Sequence, residues 1–251
     1  MVNKNKEEKP EYNQLSILIA QDGFSFYIKH EDDSKSVYVP KTIVKDINSA
    51  RSMNFFKSQL QKCFFNYSFS SLKLAFSNPY FSLIPNEYFE ESTMTDYLKY
   101  NVELFETDHV VSDEIANINA HQVFIPLMNF HNLVLEFIEE FEFEHFTNTL
   151  ITRSYPLNIN GQCMKVFVHD THLEILAFED GQFKLCNYFD YTTEVDLAYY
   201  VLFCVEELDF DQKHMSLKVY HTSENADWKE LLNLYIANIE YSRSNLVEFI
   251  S

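Results

Sequence analysis

Hydrophobic and polar positions fall into blocks whose period changes along the chain. Leu15, Ile17, Leu18, Ile19 and Ala20 form a short apolar run of strand length. Gln21-Asp22-Gly23 follows as a turn, because an Asp-Gly pair supplies the positive φ that tight hairpins need. Residues 24–29 resume as a second strand, and the acidic stretch 31–34 turns again. Tyr38 between two valines predicts a third strand over 36–39, ended by Pro40. The period then lengthens. Met53, Phe56, Leu60, Cys63 and Phe64 share one face of a 3.6-residue repeat and predict a helix over 46–64. A strand is predicted at 72–76, and Pro79 and Pro85 bracket a loop. Met94, Leu98, Val102 and Phe105 predict a second helix over 92–105. Short strands are expected at 109–111 and 122–127. Phe130, Leu133, Val134, Phe137, Ile138 and Phe141 predict a third helix over 129–144, and 147–152 reads as a further strand.

Residues 155–162 carry a Pro, two Asn and a Gly, the composition of a linker, so the chain is expected to divide into 1–154 and 155–251. Beyond that point the order repeats. Strands are predicted at 164–169, 173–178 and 183–189, joined by turns at Asp170-Thr171 and Asp180-Gly181. Thr193 is placed to cap a helix running to 208, with Asp196 at the capping-box position and Val195, Ala198, Val201, Leu202 and Val205 turned inward. A strand at 216–220, a helix over 227–241 and a last strand at 246–250 complete the pattern. Each half therefore reads as βββαβα. A three-strand meander followed by alternating helices and strands builds mixed sheets with helices on their faces, an α/β class.

Composition narrows the chemistry. The chain holds only three glycines, Gly23, Gly161 and Gly181. A Walker loop or a G-x-G-x-x-G turn needs two or three within a few residues, so both motifs are excluded. Nineteen Lys and Arg against 38 Asp and Glu give a net charge of −19. Such a chain is repelled by nucleic acid and by anionic membranes, and neither is an expected partner. Lys41, Lys45, Arg51, Lys57 and Lys62 are the densest basic stretch and read as a solvated helix face. Cys63, Cys163, Cys186 and Cys204 form no C-x-x-C pair and read as buried free thiols in a reducing compartment. Residues 1–14 show no apolar leader, and the longest apolar run, 198–205, is too short to span a bilayer. A soluble cytoplasmic protein without membrane insertion is expected.

Two βββαβα copies in one chain resemble the actin-like ATPase fold, an RNase H-like architecture shared by sugar kinases, Hsp70-type chaperones and pilus-assembly ATPase-like proteins. More closely, Leu15-Ser16-Ile17-Leu18-Ile19 through Asp22-Gly23-Phe24-Ser25-Phe26 is similar to the opening of an uncharacterised bacterial family, domain of unknown function 3822. The likeness extends through Leu83-Ile84-Pro85 and the meander from Lys165 to Asp190.

In active actin-like members the resemblance implies two Gly-rich hairpins around the nucleotide phosphates, an acid on the first loop for Mg²⁺ and a late glycine pair at the adenosine. Here the first loop corresponds to Gln21, Asp22 and Gly23, with Gln21 where the acid usually lies. The second corresponds to His169, Asp170, Thr171 and His172, without glycine, and the adenosine segment falls at 221–225, also without one. Side chains bearing Cβ obstruct a converging N–H nest, and a carboxylate such as Asp170 repels a triphosphate unless Mg²⁺ intervenes. The expectation is therefore a protein that keeps the fold without nucleotide hydrolysis or a cofactor. It would act as a scaffold or adaptor through an unknown protein partner or self-association. The alternative is a Mg-ATP-binding ATPase using Gln21, Asp22, Gly23, Asp170 and Thr171. A third reading is a small-molecule enzyme with titratable groups such as His169, Asp170 and His172 clustered in a cleft.

Other patterns weigh less. Glu106-x-x-His109 and Glu142-x-x-His145 match di-iron spacing, yet fall at predicted helix ends and read as solvated. His169-x-x-His172 would meet only across a turn, because side chains three apart on a strand face opposite ways. Glu136, Glu139, Glu140, Glu142 and Glu144 read as the solvent face of an amphipathic helix. Tyr12, Tyr80, Phe81, Tyr88 and Phe89 would mark a protein interface if exposed together.

Overall fold

The computed structural model describes residues 11–155, 160–222 and 227–251. The expected meander comes first, as β1 (Glu11–Ala20), β2 (Gly23–Lys29) and β3 (Val37–Ile43), followed by α1 (Ala50–Asn66) and β4 (Ser68–Ser77). Then come β5 (Phe81–Pro85), α2 (Met94–Leu98), β6 (Val111–Ile115), β7 (Ala120–Phe124), α3 (Met128–Leu135), β8 (Glu142–His145) and α4 (Phe146–Ser154). The second meander is β9 (Gln162–Val168), β10 (His172–Glu179) and β11 (Gln182–Asp190). It is followed by α5 (Glu194–Glu207), β12 (Ser216–His221), α6 (Trp228–Asn233) and β13 (Ile239–Arg243).

The strands make two five-stranded sheets of the same order. One runs β3-β2-β1-β4-β8, the other β11-β10-β9-β12-β13, and a third, three-stranded sheet runs β5-β7-β6. In the second large sheet β10 lies antiparallel to β9 and β11, whereas β12 lies parallel to β9 and β13. Parallel strands need a crossover, and α5 and α6 supply the two helical ones. The fold is thus mixed α/β, with the duplicated order that the meanders predict.

By compactness the chain forms two units. One holds 11–76 of the described residues with Leu127–Glu144 and Ile250–Ser251; the other holds Ser77–Pro126 and His145–Phe249. The first is centred on β1, whose residues 15–20 are all buried, as a strand covered on both faces requires. Phe26 stacks on Phe56 of α1 with ring centroids 5.7 Å apart, and Phe56 meets Phe130 of α3 edge-on at 5.1 Å. In the second unit Met164, Val166, Leu173 and Ile175 from the sheet pack with Leu197, Val201, Val205, Trp228 and Leu232 from α5 and α6. Its small sheet covers a separate cluster around Leu98, Val123 and Ile125. The expected cut at 154/155 falls at the end of α4, so topology restarts there while compactness groups α4 and the small sheet with the second meander. Among the described residues no helix is long and apolar enough to cross a membrane.

Several expected elements differ. The helix expected over 129–144 stops at Leu135 and is followed by β8 from Glu142. Phe137 and Phe141 satisfy both periods, while Phe141 to Glu144 alternates strictly and joins β4 in the sheet, with Lys73 Nζ 2.9 Å from Glu144 Oε1. Residues 147–152 are helical in α4 rather than extended, because His145 caps the helix and Phe146, Leu150 and Ile151 are buried at helical spacing. The helix over 92–105 contracts to α2, and Phe105 is exposed. The expected loop between Pro79 and Pro85 contains β5, paired with β7. The helix over 227–241 stops at Asn233, and Ile239 to Arg243 add β13 alongside β12. Residues 246–250 form a 3₁₀ turn instead of a strand. Pro40 does not end β3. It sits where the β2–β3 register slips, on an edge strand that tolerates a missing donor. Val195 faces out, 65% exposed, instead of inward. Tyr12 is buried, and of the four loop aromatics only Tyr88 is exposed, with Phe89 stacked on His121.

Candidate functional site

The two hairpin loops singled out by the sequence lie one in each compact unit. In the first, Ala20 pairs with Gly23 across the two-residue turn Gln21-Asp22. Gly23 has φ +153°, and a Cβ there would lie 2.0 Å from the Thr42 carbonyl oxygen. Glycine is therefore required by the close approach of β3 to the hairpin, independently of any ligand. Gln21 is half-buried. Asp22 is buried, with Oδ1 2.6 Å from Lys41 Nζ, and its carbonyl accepts the Val44 N–H at 2.9 Å. The carboxylate that would serve Mg²⁺ is thus matched to a cation of its own unit.

In the second loop the His169 N–H donates to the His172 carbonyl at 2.9 Å, closing a tight turn that leaves Asp170 and Thr171 exposed. Tyr191 ties this turn twice: its N–H donates to the Thr171 carbonyl and its hydroxyl to the His169 carbonyl. Among the described residues the non-glycine positions with positive φ are Asn119, Asp180 and Asp209. Asp170 and Thr171 therefore lack the left-handed residue that makes successive N–H groups converge on an anion. Of the segment 221–225 expected at an adenosine, His221 is buried in β12 with its ring edge-on to Trp228, and 223–225 lie outside the described residues.

Behind the second loop lies a buried polar cluster. Glu174, between Leu173 and Ile175 on β10, is fully buried. Its Oε2 is 2.7 Å from His169 Nε2, and its Oε1 accepts the Ser77 hydroxyl at 2.6 Å. With its proton given to Glu174, Ser77 Oγ accepts from His172 Nε2 at 3.0 Å. The His169 and His172 rings stack at 3.9 Å, and Tyr188 stacks on His172 at 4.5 Å. The turn does bring the two histidines together, and the carboxyl group beside them is hydrogen-bonded through both oxygens, as burial demands. Ser77, Glu174 and Tyr188 escape the sequence reading. The one available signal is an acid in the middle of the apolar run Leu173 to Phe178.

A second buried group supports the same unit. His145 accepts the Thr147 N–H at Nδ1, capping α4, and donates from Nε2 to the Asn78 carbonyl at 3.0 Å. Glu142 of the same E-x-x-H pair is exposed on β8, and Glu106 and His109 are exposed in a loop, so neither pair converges. The cysteines are free thiols, with burial raising Cys63 to about 11 and Cys204 to about 12.

Sheet order, duplicated crossovers and paired hairpins define an actin-like ATPase fold. It superposes on a Bacteroides thetaiotaomicron VPI-5482 protein of that fold and unknown function with a TM-score of 0.81 and 24% identity, covering 99% of this chain and 97% of that one. The PilM–PilN type IV pilus biogenesis complex matches at 0.56 and 9% identity, covering 96% and 91%. The ethanolamine utilization protein EutJ from Carboxydothermus hydrogenoformans matches at 0.50 and 8%, covering 93% and 85%. None of the curated proteins matches the sequence. Residues 3–239 match the family described as protein of unknown function (DUF3822), and the chain belongs to that family.

Proposed function

We propose that this protein keeps the actin-like fold without nucleotide hydrolysis and acts through protein contacts, as a scaffold or adaptor. The observation that carries the reading is the state of the two loops. Asp22 is buried against Lys41, and Gly23 is required by Thr42. Asp170 and Thr171 present a carboxylate and no left-handed backbone where a triphosphate would approach. Each loop taken alone is poorly built for Mg-ATP. Support for protein contacts comes from α5, where Val195, Tyr199 and Phe203 are exposed at i, i+4 and i+8, the type of apolar stripe interfaces use. A neighbour in fold belongs to the PilM–PilN type IV pilus biogenesis complex, which supports the same reading by analogy.

The test is thermal unfolding with and without millimolar Mg-ATP, paired with an assay of phosphate release. No shift and no release are expected. Nucleotide at 100 times its dissociation constant would add about 2.7 kcal/mol, a rise of roughly 5–10 °C for a chain of this size. A rise of that size overturns the reading in favour of a Mg-ATP-binding protein using Gln21, Asp22, Gly23, Asp170 and Thr171.

A further inference from the structure

The end of β3, the turn after it and the first turns of α1 enclose an open groove of about 960 Å³. Its apolar walls are Ile43, Val44 and Phe55, and Ile43 and Phe55 are 65% and 43% exposed. The polar groups along it are mostly committed to one another. Asp46 Oδ1 accepts the Asn48 N–H at 3.0 Å, and the Asp46 carbonyl accepts the hydroxyls of Ser49 at 2.9 Å and Ser52 at 2.6 Å. What remains is a pair of cations. Lys41 is matched by Asp22 and Lys57 by Glu136, whereas Lys45 and Arg51, both lining the groove, form no ion pair among the described residues. With the Asp46 carboxylate beside them, Lys45 and Arg51 still leave the lining with one net positive charge next to exposed apolar side chains, opposite in sign to a chain of net charge −19.

The backbone adds a second feature. β3 is an end strand of its sheet, so its outer edge has no strand neighbour among the described residues. Pro40 removes one donor from the middle of the strand and limits pairing to the part beyond it, which is the part lining the groove.

We infer that the groove between β3 and α1 receives an extended acidic segment of a partner protein, added to the edge of β3. Its apolar side chains seat against Ile43 and Phe55, and its carboxylates face Lys45 and Arg51. Main-chain pairing then gives affinity, while alternate side chains give specificity. Charge selects the occupant. A basic or neutral strand gains nothing from the rim, and symmetric edge pairing of two copies of this chain would bring two cationic rims together. The biological sense of this inference rests on the protein-contact reading, but its test does not involve nucleotide, so either can fail alone.

The probe is a fluorescein-labelled eight-residue peptide alternating glutamate with leucine and phenylalanine, titrated with the full chain and followed by anisotropy. Saturable binding is expected. It should weaken at least tenfold in the double variant Lys45→Glu/Arg51→Glu, whose side chains are exposed and whose circular dichroism should match the parent. It should be unchanged in Lys62→Glu, another exposed cation of α1, and lost when alternate peptide amides are N-methylated. The inference is overturned by no saturation at millimolar protein, by equal binding of the double variant, or by equal binding of the lysine-for-glutamate peptide. Retained binding of the N-methylated peptide overturns the strand addition. A micromolar dimer abolished by the double variant reassigns the groove to a second copy and overturns it too.

Discussion

His145 is fully buried between the rings of Phe81 and Phe124, with both nitrogens in use. A carbonyl can only accept, so Nε2 carries the proton toward Asn78. The Thr147 N–H can only donate, so Nδ1 carries none. The imidazole is therefore held neutral, in one tautomer, at the N-terminus of a helix where a cation is disfavoured. Burial pushes its pKa down to about 3, opposed by the bond to Asn78. An unfolded chain takes up the proton near the ordinary value of about 6.5. Because the folded pKa lies below the unfolded one, the stabilisation is complete above pH 6.5 and is lost as pH falls toward 3. The loss runs at about 1.4 kcal/mol per pH unit, or about 2 kcal/mol between pH 6.5 and 5. Urea unfolding at a series of pH values should show this slope, and His145→Asn, which keeps an N-cap acceptor, should flatten it by close to one proton. An unchanged slope in that variant would remove His145 as its source.

Elements were legible where local chemistry and periodicity agreed. The β1–β2 hairpin follows from an apolar run broken by polar residues, although the turn is Gln21-Asp22 and Gly23 already pairs within the sheet, and α5 follows from its capping box. Thr193 Oγ1 accepts the Asp196 N–H at 3.2 Å, and Asp196 Oδ2 accepts the Thr193 N–H at 2.8 Å, which lowers the Asp196 pKa. Legibility failed where one residue served two periods, as Phe137 and Phe141 do between α3 and β8. It failed also where β-branched residues such as Thr147 and Thr149 obeyed a cap instead of their propensity. The loop residues of the candidate site could be found from turn signals. Their supporting partners could not, because Ser77 meets Glu174 from 97 residues away and no local pattern encodes that contact. The capping box offers an element-scale check. α5 carries Leu197, Val201 and Val205 into the core, so Thr193→Ala should cost about 1 kcal/mol in urea unfolding, with Thr193→Ser restoring most of it. A change below about 0.3 kcal/mol would mean that packing alone fixes the helix.

At the scale of the whole chain, repetition and compactness pull apart. β9 opens a second copy of the β1 meander, and both large sheets share one strand order, which makes 155–251 look like a self-sufficient half. The second compact unit, however, draws on chain from before that point. Ser77 donates to the buried Glu174 carboxylate, the Ser154 carbonyl accepts from Lys165 Nζ at 2.6 Å, and the Phe146 ring meets the His169 ring edge-on at 5.9 Å. Cutting at 154/155 would strand a buried carboxylate without its hydroxyl donor and leave residues 77–126 without the sheet of their own unit. An unsatisfied buried polar group costs about 1–3 kcal/mol, more when charged, and total stabilities are only about 5–15 kcal/mol. Expressed separately, 155–251 should therefore lack a cooperative thermal transition and dispersed amide resonances, and mixing with 1–154 should restore both. A sigmoidal transition from 155–251 alone would instead make the repeat the folding unit. The ties to Ser77, Phe146 and Ser154 would then count as additions to a half that already stands, and the boundary at 154/155 would be one of folding as well as of topology.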